Sequence, residues 1–209
     1  MKEHPIIFSG PMVRAIQEGR KTQTRRVVKP RIKNAYGFYP ADTFWVGEHP
    51  NGGFWAVDNP NGPTHYMVRD TTKRTGFPCP YGIPGDRLWV RETFWIDDGD
   101  RQPFYKATEE HPEIFQKWKP SIHMPRWASR LTLDVTDIRV ERLQEMSFYD
   151  WVADFCPTPN EQEKALASFV GASNQRRMAQ DLWDSINGKK YPWESNPWVW
   201  VVGFKPTHE

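Results

Sequence analysis

Trp198-Val199-Trp200-Val201-Val202-Gly203-Phe204, in a chain of 209 residues, is apolar on both faces of an extended strand. Such a strand has to be covered on both faces, which places it inside a sheet and not at an edge. Earlier strands must therefore flank it. Leu131, Leu133 and Val135 alternate in one phase and Ile138 and Val140 continue in the other, so one residue near Thr136-Asp137 shifts the register. A β-bulge is the simplest cause. In Leu88-Trp89-Val90-Arg91-Glu92-Thr93-Phe94-Trp95 the alternate residues Leu88, Val90, Glu92 and Phe94 share a face, which sets one carboxylate on an otherwise apolar surface. Residues 103 to 108 predict the returning strand of a hairpin around Asp97-Asp98-Gly99-Asp100. Few strands, a distal strand that returns beside earlier ones, and covering helices predict an α+β domain built on a small β-barrel.

Outward from these strands, Pro5-Ile6-Ile7-Phe8 predicts a short first strand and residues 11 to 18 a helix, with Pro11 at its first position, Met12, Val13 and Ile16 in one apolar stripe, and Gly19 ending it. Helices are expected over 147–155, 160–170 and 174–187. In the last, Met178, Leu182 and Ile186 repeat at four-residue spacing before Gly188. Residues 34 to 80 concentrate turn chemistry between short aromatic pieces, with strands near 54–57 and 65–69 expected to form a hairpin. This region reads as an aromatic, Pro/Gly-rich insertion in a single domain spanning 1–209.

Composition excludes several classes. Hydrophobic residues make up 38% and no apolar run approaches the roughly 20 residues of a membrane helix, so no membrane partner is expected. No secretory leader is read at the N-terminus. Cys79 and Cys156 lie far apart and outside any CxxC pair, which argues against a disulfide framework and for a reducing, cytoplasmic setting. His4, His49, His65, His111, His123 and His208 show no ligand spacing, and no GxSxG, Walker, GxGxxG or HExxH pattern occurs. Neither a metal nor another cofactor is expected.

Charge is unevenly spread. Between Arg14 and Lys33 eight basic residues face the single acid Glu18, a net of +7 within a chain whose formal charge is +2. Such a block needs an anionic ligand or acidic side chains to answer it.

Gly19-Arg20-Lys21-Thr22-Gln23-Thr24-Arg25-Arg26 resembles the G-x-K-x-x-[TE]-x-R signature of the ASCH domain family, small barrels related to the PUA fold. The likeness extends through Gly82-Ile83-Pro84-Gly85-Asp86-Arg87-Leu88-Trp89-Val90-Arg91-Glu92-Thr93-Phe94, His123-Met124-Pro125-Arg126-Trp127-Ala128-Ser129-Arg130, Leu182-Trp183-Asp184-Ser185-Ile186-Asn187 and Asn196-Pro197-Trp198-Val199-Trp200-Val201. These blocks are similar to the larger ASCH-containing proteins of bacteria and their viruses. The resemblance implies a PUA-like barrel with peripheral helices and a nucleotide- or RNA-binding role. One branch of the family is similar to N4-acetylcytidine amidohydrolase and uses a lysine, a threonine and an acidic residue. The first two correspond to Lys21 and Thr24. The third corresponds to Asp154, where this chain carries aspartate in place of the branch's glutamate.

Such a trio is chemically coherent. A threonine hydroxyl needs a base within hydrogen-bond reach, and a lysine serves only when its pKa falls far below its usual value. Arg20, Arg25 and Arg26 would push Lys21 that way and stabilise an oxyanion. Alternatively Lys21 stays charged and simply holds a phosphate. Glu92 is the other candidate carboxylate, placed either to position a ligand amine or to pair with Arg26 or Arg126. Arg126, Trp127 and Arg130 combine a stackable ring with cations, a grouping suited to an unstacked base and its phosphate. The expected activity is nucleotide or single-stranded RNA binding, with amide hydrolysis of an acylated nucleoside such as N4-acetylcytidine. A second reading is a protein-interaction factor that docks a partner through residues 34–80. RNA cleavage ranks last, with no histidine pair or metal set to carry it.

Overall fold

A computed structural model describes residues 1–29, 44–48, 54–58, 79–97, 99, 101–114, 117–156, 158–167 and 172–207, the strands at 44–48 and 54–58 by backbone alone. In chain order the elements are β1 (Glu3–Ile7), α1 (Gly10–Gln17), β2 (Gln23–Val27), β3 (Phe44–Glu48), β4 (Phe54–Asp58), β5 (Arg87–Arg91), β6 (Phe94–Ile96) and β7 (Pro103–Tyr105). They continue with β8 (Thr132–Arg142), α2 (Phe148–Phe155), α3 (Pro159–Ala167), α4 (Ala172–Asn187) and β9 (Trp198–Pro206). The fold is α+β. A five-stranded sheet in the order β1-β5-β8-β9-β2 carries it, parallel between β1 and β5 and antiparallel elsewhere.

The doubly apolar strand lies inside the sheet as its sequence requires. Trp200, Val202 and Phe204 of β9 pack with Ile6, Phe8, Val13, Ile16, Leu88, Val90, Leu133 and Ile138 on one face. Val199 and Val201 project to the other, against Leu143, Trp151, Val152, Trp183 and Trp193. Period-two alternation thus divides one strand between two cores, and each fully buried large side chain contributes about 1.5–3 kcal/mol. The register of β8 against β9 shifts between Val135 and Asp137, where the phase change predicts it. Gly203 faces the bulge, and a Cβ there would sit 3.2 Å from Asp137 Cβ and 3.2 Å from Thr136 Oγ1.

The backbone ladder does not close into a barrel. β1 and β2 are the outer strands, and a flat five-stranded sheet would hold them about 19 Å apart. Yet Arg26 Nη2 in β2 donates to the Ile7 carbonyl of β1 at 2.6 Å. The sheet is rolled until its edges lie one side chain apart. β1 stops where Ser9-Gly10-Pro11 starts α1, which leaves that seam to side chains.

Three further expectations change in detail. The stretch 88–95 is broken at Glu92-Thr93 into β5 and β6; Leu88, Val90, Glu92 and Phe94 are all buried, but Leu88 and Val90 join the main core while Phe94 packs in a separate cluster with Met124 and Ala128. β4 pairs with β3, whereas its expected partner at 65–69, like most of the 34–80 insertion, lies outside the described residues. In α4 the buried positions are Ala179 and Trp183, with Met178 and Leu182 beside them, while Ile186 is exposed. The indole of Trp183 outcompetes the four-residue stripe because it buries the larger apolar area. No helix among the described residues is long and apolar enough to cross a membrane.

Candidate functional site

The signature segment is aimed by the end of α1. Gly19 takes φ +72°, a left-handed conformation that glycine adopts without a Cβ penalty. The amides of Arg20 and Lys21 then both donate to the Ala15 carbonyl, at 2.8 and 3.0 Å. This turn sends Lys21 inward. Its Nζ donates at 2.6 Å to Asp154 Oδ1 and at 2.6 Å to the Asp154 carbonyl, near the end of α2. Both side chains are buried. Burial is the main force pulling the Lys21 ammonium below its usual value of 10.5, with the charges of Arg26 and Arg25 adding to it and Asp154 opposing.

Alternation along β2 divides the next residues. Gln23 and Arg25 face α2 and β8: Gln23 Nε2 donates to Asp150 Oδ1 at 2.6 Å, and Arg25 reaches three acids. Its Nε donates to Glu141 Oε1 at 2.7 Å, its Nη1 lies 3.2 Å from Asp154 Oδ2, and its Nη2 lies 3.4 Å from Asp150 Oδ2. Asp150 is stabilised as a carboxylate. Burial works to raise its pKa, but hydrogen bonds from Gln23 and Ser147 and the Arg25 charge hold it below the ordinary 3.8. Much of the N-terminal positive charge is therefore answered by the protein's own acids, with Arg20 also paired to Glu18.

Thr24 and Arg26, on alternate positions, line a cleft of about 230 Å³ together with Asp154 and Lys29. Phe155, Trp183 and Tyr191 from the helical side and Tyr81 from the loop before β5 supply its aromatic walls. Burial pushes the Tyr81 phenol above its usual range, so it stays a neutral ring beside the Arg26 charge. Arg26 lies over the Phe8 ring at 5.3 Å and keeps its Nε without a hydrogen-bond partner among the described residues. Lys21 sits behind Asp154 and not among the lining residues.

The other candidates lie elsewhere. Glu92 is fully buried in a two-pronged pair with Arg130, at 2.9 and 3.0 Å, so its partner is neither Arg26 nor Arg126. Arg130 also donates to Thr108 Oγ1 at 2.9 Å and lies 4.0 Å over the Tyr105 ring, tying β7 to the loop before β8. Arg126 grips Glu3 through two 2.8 Å hydrogen bonds. Trp127 is 59% exposed. Thr24, Arg25, Arg26 and Asp154 thus share one cleft with Lys21 behind it, while Glu92, Arg126, Trp127 and Arg130 lie in the connections around β6 and before β8.

Sequence reasoning missed the roles of Glu141, Asp150, Tyr81 and Tyr191. The signal for Asp150 and Glu141 was present in the period of β2, since Gln23 and Arg25 share a face that needs polar partners. Nothing local marks Tyr81 or Tyr191 as cleft walls. No group of histidine, cysteine, aspartate and glutamate fit to hold a metal occurs among the described residues. No protein-family model, no curated protein and no solved structure matches this chain.

Proposed function

We propose that this chain is an ASCH-type, PUA-like module that binds a pyrimidine nucleoside in the Thr24 cleft and hydrolyses the amide of an N4-acylated cytidine. One observation carries the reading. Lys21 of the signature and Asp154, far apart in sequence, meet at 2.6 Å beneath a cleft onto which Thr24 and Asp154 both open. The cleft is smaller than the 300 Å³ or so at which drug-sized sites begin, which suits a single nucleoside. Its rings offer stacking faces, and Arg26 and Lys29 offer charge for a phosphate or an oxyanion. The rolled sheet with its seam between β1 and β2 supports the likeness to a PUA-type barrel.

The chemistry follows from the protonation of Lys21. The neutral amine takes the Thr24 proton while Asp154 orients it, and Thr24 Oγ1 bonds to the acyl carbon. Arg26 faces the oxyanion so formed. The C–N bond breaks, the departing cytidine amino group takes the proton from Lys21, and water then cleaves the acyl-threonine ester to release carboxylate and restore the hydroxyl. A reducing cytoplasm suits the unpaired thiols of Cys79 and Cys156.

The test is deacetylation of N4-acetylcytidine by purified protein. Thr24→Ala should lower the rate by about 10²–10⁴ while cytidine still binds. The rate should climb as pH rises toward the lowered Lys21 pKa and then level. An absence of turnover on a panel of acylated nucleosides, or turnover untouched by Thr24→Ala and Lys21→Ala, defeats the proposal.

A further inference from the structure

A second cleft, about 460 Å³, is lined by Trp95 and Ile96 of β6 and by Lys117, Trp118, Lys119 and His123. Its walls are fixed before any ligand arrives. Lys119 exchanges two backbone hydrogen bonds with Phe94, at 2.8 and 3.2 Å, and Trp118 Nε1 donates to the Pro112 carbonyl at 2.9 Å. Trp95 packs on Phe104 with ring centroids 5.6 Å apart.

The chemistry differs from that of the other basic residues. Lys21, Arg25, Arg126 and Arg130 each face a carboxylate. Among the described residues no carboxylate pairs with Lys117 or Lys119, and no acidic side chain lines this cleft. Exposed lysines beside fixed indole rings match the chemistry of an extended single-stranded nucleic acid, whose phosphates seek charge and whose unstacked bases seek flat apolar faces.

A chain of hydrogen bonds links residues at the two clefts. Arg26, at the Thr24 cleft, donates to the Ile7 carbonyl, and the next amide, Phe8 N, donates to the Arg91 carbonyl at 3.2 Å. The Arg91 guanidinium then bonds the carbonyl of Ile122, the neighbour of His123. We propose that the second cleft holds the phosphates and one unstacked base of a single-stranded RNA segment whose modified nucleoside sits in the Thr24 cleft. This rests on the reading of the Thr24 cleft as a nucleoside site, and it makes the preferred substrate an oligonucleotide.

The experiment titrates a labelled short oligocytidine RNA and, separately, N4-acetylcytidine against wild type and a Lys117→Ala/Lys119→Ala variant, both surface positions. The variant should bind the RNA more weakly, with the slope of log affinity against log salt reduced by about 1.4, and bind the nucleoside as wild type does. Trp118→Ala should weaken RNA binding by about 5- to 150-fold, with Trp118→Phe restoring part of it. RNA binding equal in wild type and the lysine variant, or absent from both, overturns the inference. A labelled oligoglutamate peptide that binds as tightly as the RNA overturns it in favour of an acidic protein partner. If RNA binding depends on these lysines while wild type neither binds nor turns over the nucleoside, the Thr24 reading fails and the RNA cleft stands.

Discussion

Lys21 and Arg25 differ in what removing them would expose. Without Lys21, the buried Asp154 keeps Arg25 Nη1 at 3.2 Å as a cation partner. Lys21→Met should therefore cost about 3 kcal/mol, at the lower end for breaking a buried pair, measured as a shift in the urea midpoint. The double variant Lys21→Met/Asp154→Leu should recover part of that loss, because it also removes the buried carboxylate that the single variant leaves with one cation instead of two. A single variant as stable as wild type would contradict the burial of this pair. Arg25 spans Glu141, Asp150 and Asp154 with three nitrogens of one planar fork, which a lysine cannot reproduce. Basic character was legible in the sequence, as was the Lys21 and Thr24 spacing. What a one-dimensional reading could not supply was which acids would neutralise which bases: Glu141 and Asp150 come from β8 and α2, more than a hundred residues away.

Helix α2 delivers both Asp150 and Asp154, so its start controls the site. Ser147 Oγ accepts from the Asp150 amide at 3.1 Å, and its hydroxyl donates to Asp150 Oδ2 at 2.9 Å. Ser147→Ala should lower stability by about 1 kcal/mol in urea melts, the usual worth of such a cap. If the cleft chemistry is as proposed, it should also lower kcat more than it raises KM, because displaced aspartates no longer orient Lys21. At the bulge, Gly203→Ala brings its Cβ within 3.2 Å of Thr136 and Asp137 and should cost about 1–3 kcal/mol. A neutral result there would mean that the bulge relaxes freely. Strands and the bulge were readable because two-residue alternation is local. The break of β5 from β6 was not, since Glu92 continues the buried face while its backbone leaves the ladder to meet Arg130.

For the whole molecule, acid sensitivity follows from carboxylates held charged. Burial tends to raise the pKa of Asp86, but donors from the Lys2 and Ile83 amides and from His4 hold it below 3.8, and Asp150 is lowered in the same sense. Below their ordinary value the unfolded chain takes up protons that the folded chain refuses. Their contribution is thus complete above about pH 4 and is lost as pH falls through the lower folded values. Equilibrium unfolding across that range should show stability declining on acidification, less steeply in Asp86→Asn; an unchanged profile would remove Asp86 from the account.

The position of β9 has a consequence for synthesis order. Thr24 pairs with Val202, and Gln23 with Gly203, so the strand that presents Thr24 gains its neighbour only when the distal strand has entered between β8 and β2. Contacts this remote in sequence make for slow folding. In pulse-labelled refolding, the amides of β2 and β9 should become protected together and late. A chain ending before Trp198 should have no cleft at all, although each side chain that lines it precedes Pro192.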